Sequence, residues 1–180
     1  ALSVTSWPGL LESCQGRGEE VKAGITEELE TELADMEAHW PSDLPTGVIH
    51  ADLFPDNVFF RGEGLSGLID FYFACNDILA YDIAICMNAW CFQPDNSFNV
   101  TKDKNLLSLY SQVRALSEDD LAALPILARG ASLRFLLTRL YDWVNTPKDA
   151  LVTPKNLRDY ISKLRFPQRA DNALGLGLDY

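Results

Sequence analysis

The stretch VIHADLFPDNVFF, from Val48 to Phe60, decides how the rest of the chain is interpreted. Two aspartates, a histidine and an asparagine lie between two short apolar runs, Val-Ile and Val-Phe-Phe. Apolar runs of this length, bounded by turn residues, are typical of strands. We therefore predict two buried strands joined by a polar loop, residues 50–57, which we call the motif loop.

The polar residues of this region have the spacing of a phosphoryl-transfer site. His50-x-Asp52 is followed by four residues and then Asn57, and Asp70 ends the next apolar run, LID. Phosphoryl transfer needs a carboxylate near the acceptor hydroxyl and oxygen ligands for Mg²⁺. The spacing predicts Asp52 as the base, and Asn57 and Asp70 as metal ligands that a hairpin brings together.

The remaining residues of the motif loop are expected to stiffen it. Pro55 restricts one φ angle, and Leu53 and Phe54 can anchor the loop in the core. His50 is expected to brace the loop by hydrogen bonding. Asp56 has two open interpretations, a contact to the amino group of a substrate or an exposed turn residue.

A glycine-rich segment, GEGLSG at residues 62–67, matches the G-x-G-x-x-G pattern of phosphate-binding loops. Such a loop precedes a helix in dinucleotide-binding folds, whereas this one lies between two short apolar runs and carries Glu63. We interpret it as a hairpin turn.

The rest of the chain has helical periodicity. Residues 26–40 predict an amphipathic helix with Thr26 as N-cap, and Pro41 stops it. The run from Tyr81 to Phe92 is apolar on all sides and predicts a buried helix. Three further helices are expected. The first has an apolar side of Leu106, Leu107, Tyr110 and Val113, and the second is a long helix begun by Pro125 after a Ser-x-x-Asp cap at Ser117. The third is capped by Thr153 and has an apolar face of Leu157, Tyr160, Ile161 and Leu164.

Composition limits the class of protein. A net charge of −11 argues against nucleic acid or an anionic membrane as a partner. No uninterrupted apolar run approaches the roughly 20 residues of a membrane span, and the first residues lack the pattern of a signal peptide. The four cysteines show no CxxC pair, which favours reduced thiols and a cytoplasmic location. The chain starts at Ala1 rather than Met, which suggests a piece of a longer protein.

The segments VIHADLFPDNVFF and LSGLIDFYFACNDILAYDIAICMNAWCF resemble the aminoglycoside phosphotransferase and choline kinase superfamily, whose members are related to protein kinases. Within it, the chain is most similar to the kinase-like homoserine kinases, and the later segments LPILARGASLRFLLTRLYDW and VTPKNLRDYISKLRF extend the likeness. The resemblance implies an α+β, mostly helical fold, a protein-kinase-like C-terminal lobe with a small β-hairpin that carries the catalytic loop.

The resemblance also implies ATP-dependent phosphorylation of the homoserine hydroxyl, a step towards threonine, with ATP and Mg²⁺ as cofactors. Asp52 would be the base, Asn57 and Asp70 the Mg²⁺ ligands, and His50 and Asp82 supports of the loop. Asp82 can alternatively cap the helix that it begins. The N-terminal nucleotide lobe of such kinases is not recognisable in residues 1–180, so we expect this chain alone to have little activity.

The acceptor pocket is left open by the sequence. Arg134 and Arg139 are candidates to bind the carboxylate of homoserine, but they are also typical of arginines that extend from an amphipathic helix to solvent. Trp90, Tyr141 and Trp143 could form a cage for choline, although core packing is favoured. Choline, an aminoglycoside or another amino alcohol are the alternative acceptors, and a non-catalytic binding module is the alternative class.

Overall fold

The computed structural model describes residues 4–14, 16–147 and 157–169. Helices dominate these ranges, and two small antiparallel sheets lie between the second and third helix. The helices are α1 (Trp7–Glu12), α2 (Ile25–His39), α3 (Leu79–Trp90), α4 (Val100–Val113), α5 (Glu118–Asn145) and α6 (Leu157–Arg169). The strands are β1 (Thr46–Ile49), β2 (Val58–Arg61), β3 (Gly64–Leu68) and β4 (Cys75–Ile78). The mostly helical α+β class is confirmed.

Helix α5 is the centre of the core, and it packs against α1, α2, α3 and α6. The prediction that Pro125 begins this helix is wrong. A capping box starts it earlier, because the Ser117 hydroxyl accepts from the Asp120 amide and the Asp120 carboxylate accepts from the Ser117 amide. Pro125 lies inside the helix.

By length and composition, α5 could also cross a membrane. In this fold 61% of its apolar stretch is buried within the protein, which is the setting of a core helix in a globular domain.

Helix α2 begins one residue before the predicted cap. Gly24 is the N-cap with φ 75°, so Thr26 does not cap the helix through its side chain. The Glu19 carboxylate accepts from the backbone amides of Gly24 at 2.7 Å and of Thr26 at 3.0 Å. A carboxylate from the preceding turn therefore satisfies amides that a cap would otherwise bind.

The predicted apolar faces of the last helices are borne out with one exception. Leu157, Tyr160, Ile161 and Leu164 of α6 are all buried, whereas Thr153 lies outside the described residues. In α4, Leu107 is buried, but Val113 is 92% exposed because it is the last residue of the helix and extends past its neighbours.

The β region consists of two separate pairs of strands. β1 pairs with β4, with Val48 opposite Asn76, and β2 pairs with β3 as a hairpin. Gly62 adopts φ 63° in the turn of that hairpin, a conformation that favours glycine. The hairpin interpretation of the glycine-rich segment is therefore confirmed, with its last residues in β3.

The prediction that the apolar flanks of the motif loop are buried is wrong for most of their side chains. Ile49 is buried, but Val48 is 83% exposed, and Phe59 and Phe60 are also exposed. In β1 the exposed Val48 and the buried Ile49 point to opposite faces, as successive strand residues do, and three of the four residues of β2 are exposed.

Candidate active site

The second residue of the motif loop, Ala51, is strained, and two hydrogen bonds hold the start of the loop in place. Ala51 has φ 62°, in the left-handed region that costs a residue with a side chain roughly 1 kcal/mol or more. The two carboxylate oxygens of Asp82 accept from the amides of His50 and Ala51, each at 2.9 Å. Asp82 lies in the first turn of α3, so the core helix fixes the start of the loop.

Asp52 and Asn57 are in direct contact across the loop. The Asn57 side-chain Nδ2 donates to the backbone oxygen of Asp52 at 2.8 Å and to its carboxylate Oδ2 at 3.1 Å. Asn57 is buried and Asp52 is half-buried. Since the amide nitrogen of Asn57 faces Asp52, its amide oxygen is the atom available to ligate a cation.

Asp70 lies two residues after β3, next to a residue that is hydrogen-bonded to the motif loop. The Ile69 amide donates to the Asn57 carbonyl at 3.1 Å, which places the next residue, Asp70, beside the loop. Asp70 is exposed, has φ 62°, and its charge acts on Asp52. The hairpin therefore brings Asp52, Asn57 and Asp70 to one place.

The pKa of Asp52 is raised above its ordinary value. Burial is the main cause, and the charge of Asp70 adds to it. The charge of Arg134 and the hydrogen bond from Asn57 oppose the rise, with a smaller effect of His50 in the same direction. A carboxylate with a raised pKa is a better proton acceptor than an exposed aspartate.

His50 ties the loop to the segment that carries Asp70. Its ring Nε2 donates to the carbonyl of Ile69 at 2.9 Å, and its ring packs against Phe71 with 4.6 Å between centroids. Phe54 anchors the other side of the loop in the core, at 4.8 Å from the ring of Phe135.

Two further side chains bind carbonyls of the loop, and sequence reasoning did not assign either of them to it. Trp90 Nε1 donates to the Leu53 carbonyl at 2.7 Å. Arg134 Nη1 donates to the Ala51 carbonyl, also at 2.7 Å. An arginine within the apolar run LRFLL was the available signal, since a charge there must find a partner.

The structure does not support Arg134 and Arg139 as carboxylate-binding residues of an open pocket. Arg134 is 1% exposed, and its guanidinium is turned into the protein. Arg139 stacks on the ring of Tyr160 at 3.9 Å, which joins α5 to α6. Asp56 is exposed in the short turn before Asn57.

The aromatic cage, the less favoured of the two interpretations of Trp90, Tyr141 and Trp143, is not formed. Trp90 contacts the motif loop, whereas Trp143 packs under the guanidinium of Arg17 at 5.6 Å. Tyr141 is 39% exposed on the surface of α5.

The oxygen donors at the site fit a hard cation. Mg²⁺ takes oxygen ligands and is held by one or two carboxylates together with the phosphates of a substrate. Asn57 offers an amide oxygen and Asp70 an exposed carboxylate. Among the described residues no group of three or more His, Cys, Asp and Glu side chains is arranged to hold a metal.

The motif loop thus lies in a mostly helical fold, beside a hairpin that returns an aspartate to it. The family model described as "Phosphotransferase enzyme family" matches residues 7–116, and the chain belongs to that family. The resemblance stated from the sequence is thereby confirmed.

Curated relatives match almost the whole chain. A homoserine kinase of Afipia carboxidovorans is 61% identical over 178 residues, 99% of this chain and 55% of the relative. A homoserine kinase of Rhizobium meliloti is 58% identical with the same coverage. The chain thus spans about half the length of the curated relatives that it matches.

Among solved structures, an ethanolamine kinase of Plasmodium vivax has a TM-score of 0.57 at 16% identity. The similarity covers 89% of this chain and 48% of that one. At this level of identity the similarity shows the fold alone.

Proposed function

We propose that the chain is the catalytic-loop lobe of a kinase that transfers a phosphoryl group from ATP to the hydroxyl of homoserine, a step in threonine biosynthesis, in the cytoplasm. The relatives named homoserine kinase support the acceptor, because they match 99% of the chain at up to 61% identity. The observation that carries the chemistry is the contact between Asp52 and Asn57, with Asp70 beside them.

In this proposal Asp52 accepts the proton of the acceptor hydroxyl as that oxygen attacks the terminal phosphorus of ATP, while the bond from that phosphorus to the leaving ADP breaks. A general base of this kind contributes roughly 10²- to 10⁴-fold in rate. The Asn57 amide oxygen and the Asp70 carboxylate would hold Mg²⁺. Neutralisation of charge on the phosphates is the chemistry that the bound ion supplies.

The supporting residues keep the base in position. Asp82 binds two successive amides before Asp52, and His50 fixes the distance between the loop and the Asp70 segment. Positioning of this kind matters because a displacement of about 1 Å can lower the rate roughly 10²-fold.

We further propose that residues 1–180 form the lobe that lacks the nucleotide-covering part. The relatives are almost twice as long as the matched region, which leaves room for a second lobe. Large apolar side chains that are exposed in the β region are suitable contacts for it: Val48, Phe60, Phe71 and Tyr72. Alone, the chain is expected to bind ATP weakly and to turn over little or no substrate.

The test joins this chain to the part of the Afipia carboxidovorans relative that it does not cover. The joined protein and the chain alone are supplied with ATP, Mg²⁺ and one acceptor at a time: homoserine, choline or an aminoglycoside. Phosphohomoserine from the joined protein only is the expected product. Phosphocholine without phosphohomoserine would refute the acceptor, and equal turnover by the chain alone would refute the division into lobes.

If the joined protein binds ATP but phosphorylates none of the acceptors, the lobe is a non-catalytic binding module. Isothermal titration with ATP and Mg²⁺ separates that outcome from a protein that has not folded.

A further inference from the structure

Arg134 is a buried arginine whose charge the proposed chemistry does not use. It lies in the middle of α5, is 1% exposed, and is 83 residues from the carbonyl that it binds. Burying a guanidinium is costly unless its donors are satisfied, so a retained buried arginine needs a specific partner. The partner of its Nη1 is the backbone of the motif loop, whereas its buried Nε has no hydrogen-bond partner in the described structure.

The contact is made at the most strained peptide of the loop. Arg134 Nη1 donates to the carbonyl of Ala51, at 2.7 Å, and Ala51 is the residue with φ 62°. The amide of the same residue donates to Asp82 Oδ1 at 2.9 Å. The amide and the carbonyl of Ala51 are therefore both hydrogen-bonded, the amide to a carboxylate of α3 and the carbonyl to a guanidinium of α5.

The guanidinium is itself held in place by aromatic rings. Its carbon lies 4.4 Å from the centroid of Phe135 and 5.4 Å from that of Phe73. Phe135 also contacts Phe54 of the motif loop. The planar guanidinium of arginine suits contacts with aromatic rings better than lysine, whose ammonium is a compact point charge on a flexible stem.

We propose that Arg134 is a positioning residue, which holds the Ala51 peptide in its left-handed conformation and so places the neighbouring Asp52 carboxylate for catalysis. The proposal rests on the proposed phosphotransferase function of this site. Its charge also opposes the rise of the Asp52 pKa that burial causes, which is consistent with its proximity to the loop.

The experiment uses the joined protein described above and three variants. Arg134→Met keeps the length of the side chain without a donor, and Arg134→Lys restores a positive donor without the planar fork. Arg129→Met is the matched control, because Arg129 lies on the same helix and is partly buried, but it binds Glu32 and Asp35 of α2.

With Arg134→Met, kcat is expected to fall roughly 10²-fold with KM for ATP little changed, since the loop is displaced but the nucleotide contacts are kept. Arg134→Lys is expected to recover part of that loss. Arg129→Met is expected to lower stability and leave kcat within about two-fold, because α2 does not contribute to the loop. A kcat for Arg134→Met equal to that of the control would overturn the proposal.

Hydrogen exchange of the peptide covering residues 48–58 gives a second readout that does not need turnover. Exchange is expected to become roughly 10-fold faster or more in Arg134→Met than in the control, because the lost bond is to a charged group. Unchanged exchange would show that Arg134 does not hold the loop. If the unsubstituted joined protein phosphorylates no acceptor, the proposed function fails, and the exchange result still decides the role of Arg134.

Discussion

The segment from Val48 to Phe60 and helix α5 are both rich in apolar residues, yet they place them differently. In α5, Leu133, Leu136 and Leu137 are at most 1% exposed. In the segment around the motif loop, Val48 and Phe60 are more than half exposed, whereas the polar side chains of His50 and Asn57 are buried.

The difference shows that the helical core and the motif loop are stabilised by different interactions. The helical core is stabilised by apolar area removed from water, roughly 25 cal/mol per Å². The motif loop is held by hydrogen bonds that α3 and α5 deliver to its backbone, at His50, Ala51 and Leu53. Substitution of the proposed base in the loop should therefore lower activity without lowering stability, and substitutions in the core should lower stability without a specific loss of activity.

The largest effect is expected from Asp52→Asn in the joined protein. We expect kcat to fall roughly 10²- to 10⁴-fold, because the proton acceptor is lost. Burial raises the pKa of Asp52 in the folded state above its value in the unfolded state. At pH values above the unfolded pKa, the ionised carboxylate therefore lowers the stability of the folded state. Urea denaturation at neutral pH should accordingly show a free energy of unfolding equal to or above that of the parent.

Asp43→Asn, an exposed position before β1, is the control for a lost carboxylate. Turnover of Asp52→Asn within a few-fold of the parent would show that the assigned base is wrong.

The next effect is expected from Asp82, where loop and core meet. Asp82→Ala leaves the amides of His50 and Ala51 without acceptors, and each buried orphan costs roughly 1–3 kcal/mol. We expect both kcat and the free energy of unfolding to fall. Asp82→Asn has one acceptor oxygen and should lie between Ala and the parent in both measurements.

If Asp82→Ala and Asp82→Asn gave the same free energy of unfolding, the two hydrogen bonds would not account for the contribution of Asp82 to stability.

A core substitution should change stability without a specific effect on turnover. A Cβ at Gly130 of α5 would lie 2.6 Å or less from two ring carbons of Trp40, whose indole packs edge-on against Trp7 and Tyr81. Gly130→Ala is expected to cost roughly 1–3 kcal/mol by overpacking. At a temperature where both proteins are folded, kcat should be within about two-fold of the parent.

Gly9→Ala in α1 is the matched control, since a Cβ there meets nothing within 4 Å. It should be neutral, or stabilising by up to roughly 1 kcal/mol through helix propensity. Equal losses for Gly9 and Gly130 would point to a backbone requirement rather than to the packing of Trp40.

The smallest effect concerns a buried carboxylate in the core. Burial raises the pKa of Asp103 in α4 from 3.8 to about 7, and a hydrogen bond with Cys91 opposes the rise. Because the folded pKa is the higher one, the folded state binds the extra proton, and stability falls as pH rises through this range. Between pH 6 and pH 8 the loss is about 1.4 kcal/mol.

Asp103→Asn should remove that part of the pH dependence, measured by urea denaturation at both pH values. The same loss in the variant would assign the titration to another group.

Much of the fold follows from local patterns. The capping box at Ser117 is predictable from its Ser-x-x-Asp pattern. The buried faces of α2 and α6 are predictable because apolar residues recur there with the helical period. The exposure of Val48 and Phe60 is not readable, since an apolar run shows what prefers burial and not whether a second layer covers it. Thr26 was misassigned because Glu19, from a preceding turn, took the role of the cap.

The sequence by itself indicated the proposed chemistry. The spacing of Asp52, Asn57 and Asp70 predicts a phosphoryl-transfer site, because carboxylates and amide oxygens can hold protons and hard cations. Only the tertiary structure decided how the site is held. Arg134, for which the sequence offered a substrate carboxylate or solvent as surroundings, is buried and binds the Ala51 carbonyl 83 residues away. No local pattern encodes that contact, since it exists only once α5 has packed beneath the motif loop.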